Sequence, residues 1–430
     1  MEHAAAEGSE SDLTGDQSPC REREVRGATV LNDLPEWVVV EEILIRLPPK
    51  DILRCRVVCR WWHSATSTDK FMLDHHRRQP LLPILSQVVD PQPPKVHLLF
   101  SFDAGASQQQ LCPVIQIQTY YHDTLHASLD GLLVVSHGSV VSQYFICNPV
   151  IRKCAPLAKP QAQQGFYPRI VGFYRHEPSG GEYRVLWVSS NAQDEKPFYY
   201  AIAVGSNSTR YIGQGCTPQP TSSSPSLELA LQRGLPCSSI LPPAHHRSSL
   251  HWILQKHQSW DADYIMVFNA ASETFRLMCR PARLPNCLHE TLLEMDDDTL
   301  ALCSISSVKH TIDVWVVHDY DAETWSFKHC MNLTGMDPSV LVDPNPKDTI
   351  VPRMAVLGGG EMLIQFTWLC VLRFDIDGKF LGYVKSEDGQ EIYLWVTWHY
   401  LQQSIIPLPL FHEMREDDSA NQEPPFFIGL

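Results

Sequence analysis

Between residues 30 and 72 the apolar positions recur at the helical period, and beyond residue 95 they fall into short alternating runs broken by turns. Val40, Ile43, Leu44 and Leu47 make one apolar stripe, with Asn32 or Asp33 as cap, Pro35 in the first turn and Glu36 at the positive end of the dipole. Pro48 and Pro49 stop this helix. A second helical stretch opens near Lys50 and carries two stripes. Ile52, Cys55, Cys59 and Trp62 form one, and Leu53, Val57 and Trp61 form the other. Two stripes need two surfaces to pack against. A unit this small is marginal alone, so the surplus stripe predicts a docked partner or a bound metal.

Cys55, Cys59 and His63 stand at four-residue intervals and resemble part of a zinc site. On one continuous helix Cys55 and His63 are roughly 12 Å apart along the axis, whereas zinc ligands converge within about 2.3 Å of one ion. No C-x-x-C partner stands nearby. Packing thiols and a docked partner are therefore the expectation, with no metal.

Residues 76 to 95, "RRQPLLPILSQVVDPQPPK" and its margin, are proline-rich and read as a semi-rigid linker. An all-β texture follows, and it repeats. "FNAASETFRL" from Phe268 and "HDYDAETWSF" from His318 share an Asn or Asp at a strand end, a short turn, Glu-Thr and an aromatic opening the next strand. Weaker copies surround Asp103, Asn148, Asn207 and Asp375. About six copies at blade-like spacing predict a ring of small sheets that protect one another's edges. An open sandwich pair is the competing architecture. Phe275 and Trp325 are expected to pack between blades. Residues 215 to 247 read as a Ser/Pro-rich surface loop, and the acidic tail 412 to 430 as disordered, with an apolar tip at Phe426, Phe427 and Ile428.

Lys and Arg number 34 against 49 Asp and Glu, a formal net charge of -15 that repels a phosphate backbone and argues against nucleic acid. The 13 cysteines are scattered and odd in number, which suggests reduced thiols. No window is long and apolar enough to span a membrane and no secretion signal opens the chain, so a cytoplasmic or nuclear location is expected. No G-x-S-x-G elbow or phosphate-cradling G-x-x-x-x-G-K-[ST] loop is present, and "GGGEM" at 358 reads as a turn before a strand. Asp296, Asp297 and Asp298 read as a hairpin turn ahead of a calcium site, and His245, His246 and His251 as unconverged ahead of a metal cluster. The expectation is no catalytic residues, no cofactor and no enzyme.

Leu34-Pro35, the run "EEILIRLPPKDILRCRVVCRWW" and Phe71 resemble the F-box of plant F-box proteins in order and spacing, with Asp51 where many relatives carry Ser. "DGLLVV", "FICNP", "VGFYRHEPSGGEYRVLWV", "SLHWI" and the two strong repeats are similar to the F-box-associated domain. The resemblance implies a multidomain chain: leader 1–28, a three-helix all-α F-box at 29–75, linker 76–95, an all-β, propeller-like domain of about six blades at 96–411, and tail 412–430. It also implies docking to the Skp-type adaptor of Skp–Cullin–F-box ubiquitin ligases, and through it to a cullin-RING ligase. Leu34, Pro35, Ile43, Leu44, Leu47, Pro48, Leu53 and Val57 would be the adaptor contacts or their immediate supports. The β domain would hold a target protein through residues the sequence does not name. A non-degradative scaffold and a metal-dependent propeller enzyme remain as alternatives.

Overall fold

A computed structural model describes residues 34–90, 95–105, 110–119, 124–137, 143–160, 166–191, 197–206, 208–213, 225–254, 264–281, 287–295, 299–306, 311–333, 336, 352–367, 370–375, 377–384, 394–408 and 425–427. The chain divides into two compact units, Met1–Leu47 and Pro48–Leu430.

In the first unit, α1 (Glu36–Val38) continues through a wide π-turn, Val39–Ile43, and a tight 3-10 turn, Leu44–Arg46. Widening and tightening shift the stripe off the ideal period. Val39, Leu44 and Ile45 are the buried positions, while Ile43 and Leu47 are only half-buried.

The second unit opens with α2 (Pro49–Cys55), α3 (Arg60–Thr66) and α4 (Asp69–Arg77). The helix expected to run on from Lys50 is thus two. The turn at Arg56–Val58 ends α2, and Cys59 turns extended and caps α3 by accepting the Trp62 amide on its Sγ at 3.4 Å. Arg56 staples the break by donating from Nη2 to the Thr66 carbonyl at 2.6 Å. Four helical segments are therefore described from Glu36 to Arg77 where the resemblance implied three.

Beyond them, β1 (Leu81–Asp90), β2 (Lys95–Asp103) and β3 (Gln110–Thr119) begin blade one. Blade two is β4 (Leu125–Leu129), β5 (Leu132–His137), β6 (Gln143–Asn148) and β7 (Lys153–Pro156). Blade three is β8 (Phe166–His176), β9 (Glu182–Asn191), β10 (Phe198–Ala203) and β11 (Thr209–Gly213). After α5 (Pro225–Arg233), blade four is β12 (Ala244–His246), β13 (Ser249–Ile253), β14 (Tyr264–Asn269) and β15 (Thr274–Cys279). Blade five is β16 (Cys287–Glu294), β17 (Leu300–Ser306), β18 (Thr311–Asp319) and β19 (Thr324–Asn332). Blade six is β20 (Arg353–Leu357), β21 (Glu361–Gln365), β22 (Leu372–Asp375) and β23 (Phe380–Tyr383). The last strand, β24 (Leu394–Gln402), returns to complete blade one beside β1.

Six four-stranded antiparallel sheets result, and the seams between them are the core. Leu85, Val396 and Leu363 join blades one and six, Phe173 and Val134 join blades three and two, and Val314 and Met354 join blades five and six. Closure depends on β24: Leu85 pairs with Val396, and Thr397 donates from Oγ1 to the Ile84 carbonyl at 2.7 Å. The stretch expected as a linker therefore carries the end of α4 and β1. Pro83 is tolerated there because it sits at a register shift against β24.

In five of the six blades the repeats fall on the turn before the outermost strand. Asp103, Asn148, Asn269, Asp319 and Asp375 each accept a backbone N–H two to four residues ahead, which closes the turn locally. Asn207 lies outside the described residues. The Glu of the Glu-Thr pair does more than turn the chain. Glu273, at φ 53°, accepts from Tyr174 Oη and Arg184 Nη1 of blade three, both at 2.6 Å. Glu323, at φ 54°, accepts from Arg276 Nη1 at 2.6 Å and the Cys279 amide at 2.7 Å in blade four. Each such turn thus grips the preceding blade. Phe275 is buried in the seam of blades three and four, and Trp325 packs on blade four, donating to the Cys279 carbonyl at 2.9 Å.

Three further expectations change. The 215 to 247 segment is not simply a surface loop: it holds α5 and β12, and Ser238 is buried, donating to the Ile170 carbonyl at 3.0 Å. The tail is not wholly free, because Phe426 and Phe427 are buried in the seam of blades one and two, with Phe426 against Phe145 and His137. Cys147 and Cys154 form a disulfide, since the β6–β7 register sets them directly opposite one another.

Candidate functional site

The eight residues expected to meet an adaptor are distributed over both units. In the first, Leu34, Ile43 and Leu47 are half-buried, Pro35 is exposed and Leu44 is buried. Leu44 is therefore a support and not a contact surface. In the second, Pro48 caps α2 and is exposed, Leu53 is half-buried on α2, and Val57 stands in the turn after it at 85% exposure. Two large apolar side chains join this exposed set that periodicity alone did not single out. Trp37 is 60% exposed on α1, and Val58 is 65% exposed beside Val57. The signal was available: each lies within the F-box-like run but outside the stripe that packs inward. Cys55 ends α2 with its thiol pKa raised by burial, and Cys59 is spent on capping.

In the propeller β24, β4, β8, β12, β16 and β20 are the first strands of their sheets: β4 contacts β24 and β8, β16 contacts β12 and β20, β20 contacts β24, and β8 meets the next blade at β13. They line an open cavity of about 1020 Å³, to which the Pro236 to Pro243 segment also contributes. Five histidines line it, among them His126 on β4, His245 on β12 and His399 on β24, with His251 on β13 and His289 on β16. Burial drives His126 and His245 down to about 4 and His399 to about 3, so all three rings are neutral at pH 7.

The remaining histidine candidates diverge. Strand alternation turns His246 away from His245, onto Tyr320 of blade five, and His251 reaches the Tyr320 hydroxyl from Nε2 at 2.8 Å. They brace a seam. Asp296 to Asp298 lie outside the described residues. Gly358 to Gly360 form the turn that leads into β21, as "GGGEM" suggested. Among the described residues no helix is long and apolar enough to cross a membrane.

Within the second unit α4 meets the propeller. His76 contacts the Gln403 carbonyl from Nδ1 at 3.1 Å and Asp130 from Nε2 at 3.7 Å, and Gln402 donates to the Gln79 carbonyl at 2.9 Å. Within the second unit α4 is therefore fixed to blades one and two.

Comparison with known proteins adds two domain matches. Residues 31–77 match an F-box-like family, and residues 92–344 match a family described as F-box associated beta propeller domain. An F-box protein of Arabidopsis thaliana is 30% identical over 165 residues, which is 36% of this chain and 40% of that protein. A second Arabidopsis thaliana F-box protein is 20% identical over 296 residues, 66% of this chain and 80% of its own length. A third is 22% identical over 316 residues, 72% of this chain and 76% of its own length.

Proposed function

We propose, on the premise that this chain belongs to the F-box-associated β-propeller family and carries an F-box ahead of its propeller, that it is the substrate-recognition subunit of a Skp–Cullin–F-box ubiquitin ligase. The observation that carries this reading is the order of the two domain matches together with the exposed apolar side chains of the first. The F-box residues Leu34, Pro35, Ile43, Leu47, Pro48, Leu53 and Val57, supported by Leu44, dock a Skp-type adaptor, and the propeller presents a target protein. The chemistry is proximity. Holding the target beside a charged ubiquitin carrier makes a rare encounter effectively intramolecular, and no residue of this chain forms or breaks a covalent bond.

The test is capture of a panel of Skp-type adaptors by the full chain, beside a Leu34→Ala, Pro35→Ala, Leu47→Ala variant whose propeller folding is checked by tryptophan fluorescence. Binding by the wild type and its loss in the variant is the expected result. Failure of the wild type to bind any adaptor overturns the reading. A target whose half-life lengthens when this chain is removed separates the ligase receptor from a scaffold that uses the same adaptor.

A further inference from the structure

The β6–β7 hairpin is tied to the end of the chain on both of its faces. Cys147 on β6 and Cys154 on β7 stand opposite one another and are bonded through sulfur. Cys147 is fully buried in the cluster that holds Leu133, Val135, Phe426 and Phe427, and half-buried Cys154 packs against the same cluster. Strand alternation turns the next residue, Asn148, to the other face. There its Nδ2 donates to the Ser404 carbonyl at 3.0 Å and to the Ile406 carbonyl at 2.8 Å. One short hairpin thus holds both the segment that leaves β24 and the turn Pro425–Phe427.

A bonded pair of sulfurs stands about 2 Å apart, whereas two thiols separate to roughly 3.5 Å or more. Reduction therefore asks the wall around Cys147 to give by more than about 1 Å, and close-packed interiors do not absorb such a change smoothly. Leu133 and Val135 cannot yield easily, because they are locked in register opposite Cys147 and Phe145 in the sheet. Phe426 and Phe427 belong to a 3-10 turn outside the sheets, with Phe426 packed on Phe145 and His137 through its ring. The turn is the part of the wall that can move.

We propose that Cys147 and Cys154 form a redox site that clasps the end of the chain: the disulfide holds Phe426 and Phe427 in the seam, and reduction by a small thiol releases them. In that reaction a thiolate attacks the sulfur of Cys154, the more exposed of the two residues, and Cys147 leaves as a thiolate. A second thiolate resolves the mixed disulfide. Two reductant thiols become one disulfide, and their two protons end on the cysteines. The coupling is reciprocal, so losing the turn eases reduction by the same factor that reduction weakens the docking of the turn. The clasp holds with or without a docked adaptor.

The test uses the full chain oxidised with glutathione disulfide and, separately, reduced with dithiothreitol and desalted under nitrogen. Alkylation and mass spectrometry of the peptide spanning Cys147 and Cys154 verify the two states. Chymotryptic cleavage after Phe426 and Phe427 is expected to run at least about fivefold faster in the reduced form. Cys154→Ser is expected to be cleaved at the reduced rate in both buffers. In glutathione mixtures, Phe427→Ala should reach half-reduction at a [GSH]²/[GSSG] ratio at least about fivefold below that of the wild type. Should either variant fail to fold, the oxidised and reduced wild type decide the matter alone. The proposal is overturned by free thiols at Cys147 and Cys154 in the oxidised chain, or by equal cleavage of the two forms. Cleavage of Cys154→Ser at the oxidised rate, or an unmoved midpoint in Phe427→Ala, overturns it as well.

Discussion

Four imidazoles packed inside the propeller make its fold sensitive to acid by an amount the structure specifies. Burial brings His126 and His245 to about 4, and His251 and His399 to about 3. A histidine in an unfolded chain titrates near about 6.5. The unfolded chain therefore takes up protons that the folded chain refuses. Stability is full above about pH 6.5 and is lost as pH falls toward the folded values. At pH 5 each group costs about 2 kcal/mol, and the four together about 8 kcal/mol, comparable with the whole stability of a typical domain. Urea unfolding of the full chain at pH 7 and pH 5 measures this directly, with the buried Trp187 and Trp252 reporting on the propeller. The expected result is a loss of several kcal/mol on acidification, and a His399→Phe variant that loses about a quarter less. A difference below about 1 kcal/mol between the two pH values would show that these rings are protonated in the fold, and the reasoning would fail.

Three substitutions test other joints. Glu273→Gln leaves Arg184 and Arg210 facing a neutral amide in the seam of blades three and four and should cost about 3–5 kcal/mol in urea unfolding. Phe427→Ala empties a buried site between blades one and two and should cost about 3–5 kcal/mol, whereas a tail that merely rests on the surface would give no change. Gly131→Ala, at φ 79°, would place a Cβ 2.4 Å from that of Ser404 and should lower the thermal midpoint by several degrees in a calorimetric scan.

Local chemistry was the legible part of this fold. The Asn or Asp that opens each outer turn uses its side chain on its own backbone, so Asn269 and Asp319 betray their role within a ten-residue window. The helical break was harder, because Cys is an unusual cap and Cys59 otherwise continues the apolar stripe. Long-range pairing left no local mark. Nothing in "LWVTWHYLQ" says that it lies beside "LLPILSQVVD" rather than beside the strand before it, and the prolines around β1 pointed to a linker. The histidines of the axis were individually unremarkable as well. His126, His245 and His399 are far apart in the chain and converge only because the first strands of their blades share one axis. In the sequence the Glu-Thr pair reads only as turn punctuation, because its grip on the neighbouring blade exists only once the blades stand side by side.

The placement of β24 governs how the protein is made. Ile84 and Thr397, which meet across the closure, are separated by 313 residues, so on the ribosome the first blade waits unfinished until nearly all of the domain has emerged. Until then β1 offers an open edge to any strand that finds it. A chain cut short late in synthesis would keep every residue of blades two to five and still lack a sound blade one. Damage at the end is thus felt at the beginning, and the ring acts as its own check that synthesis has run to completion.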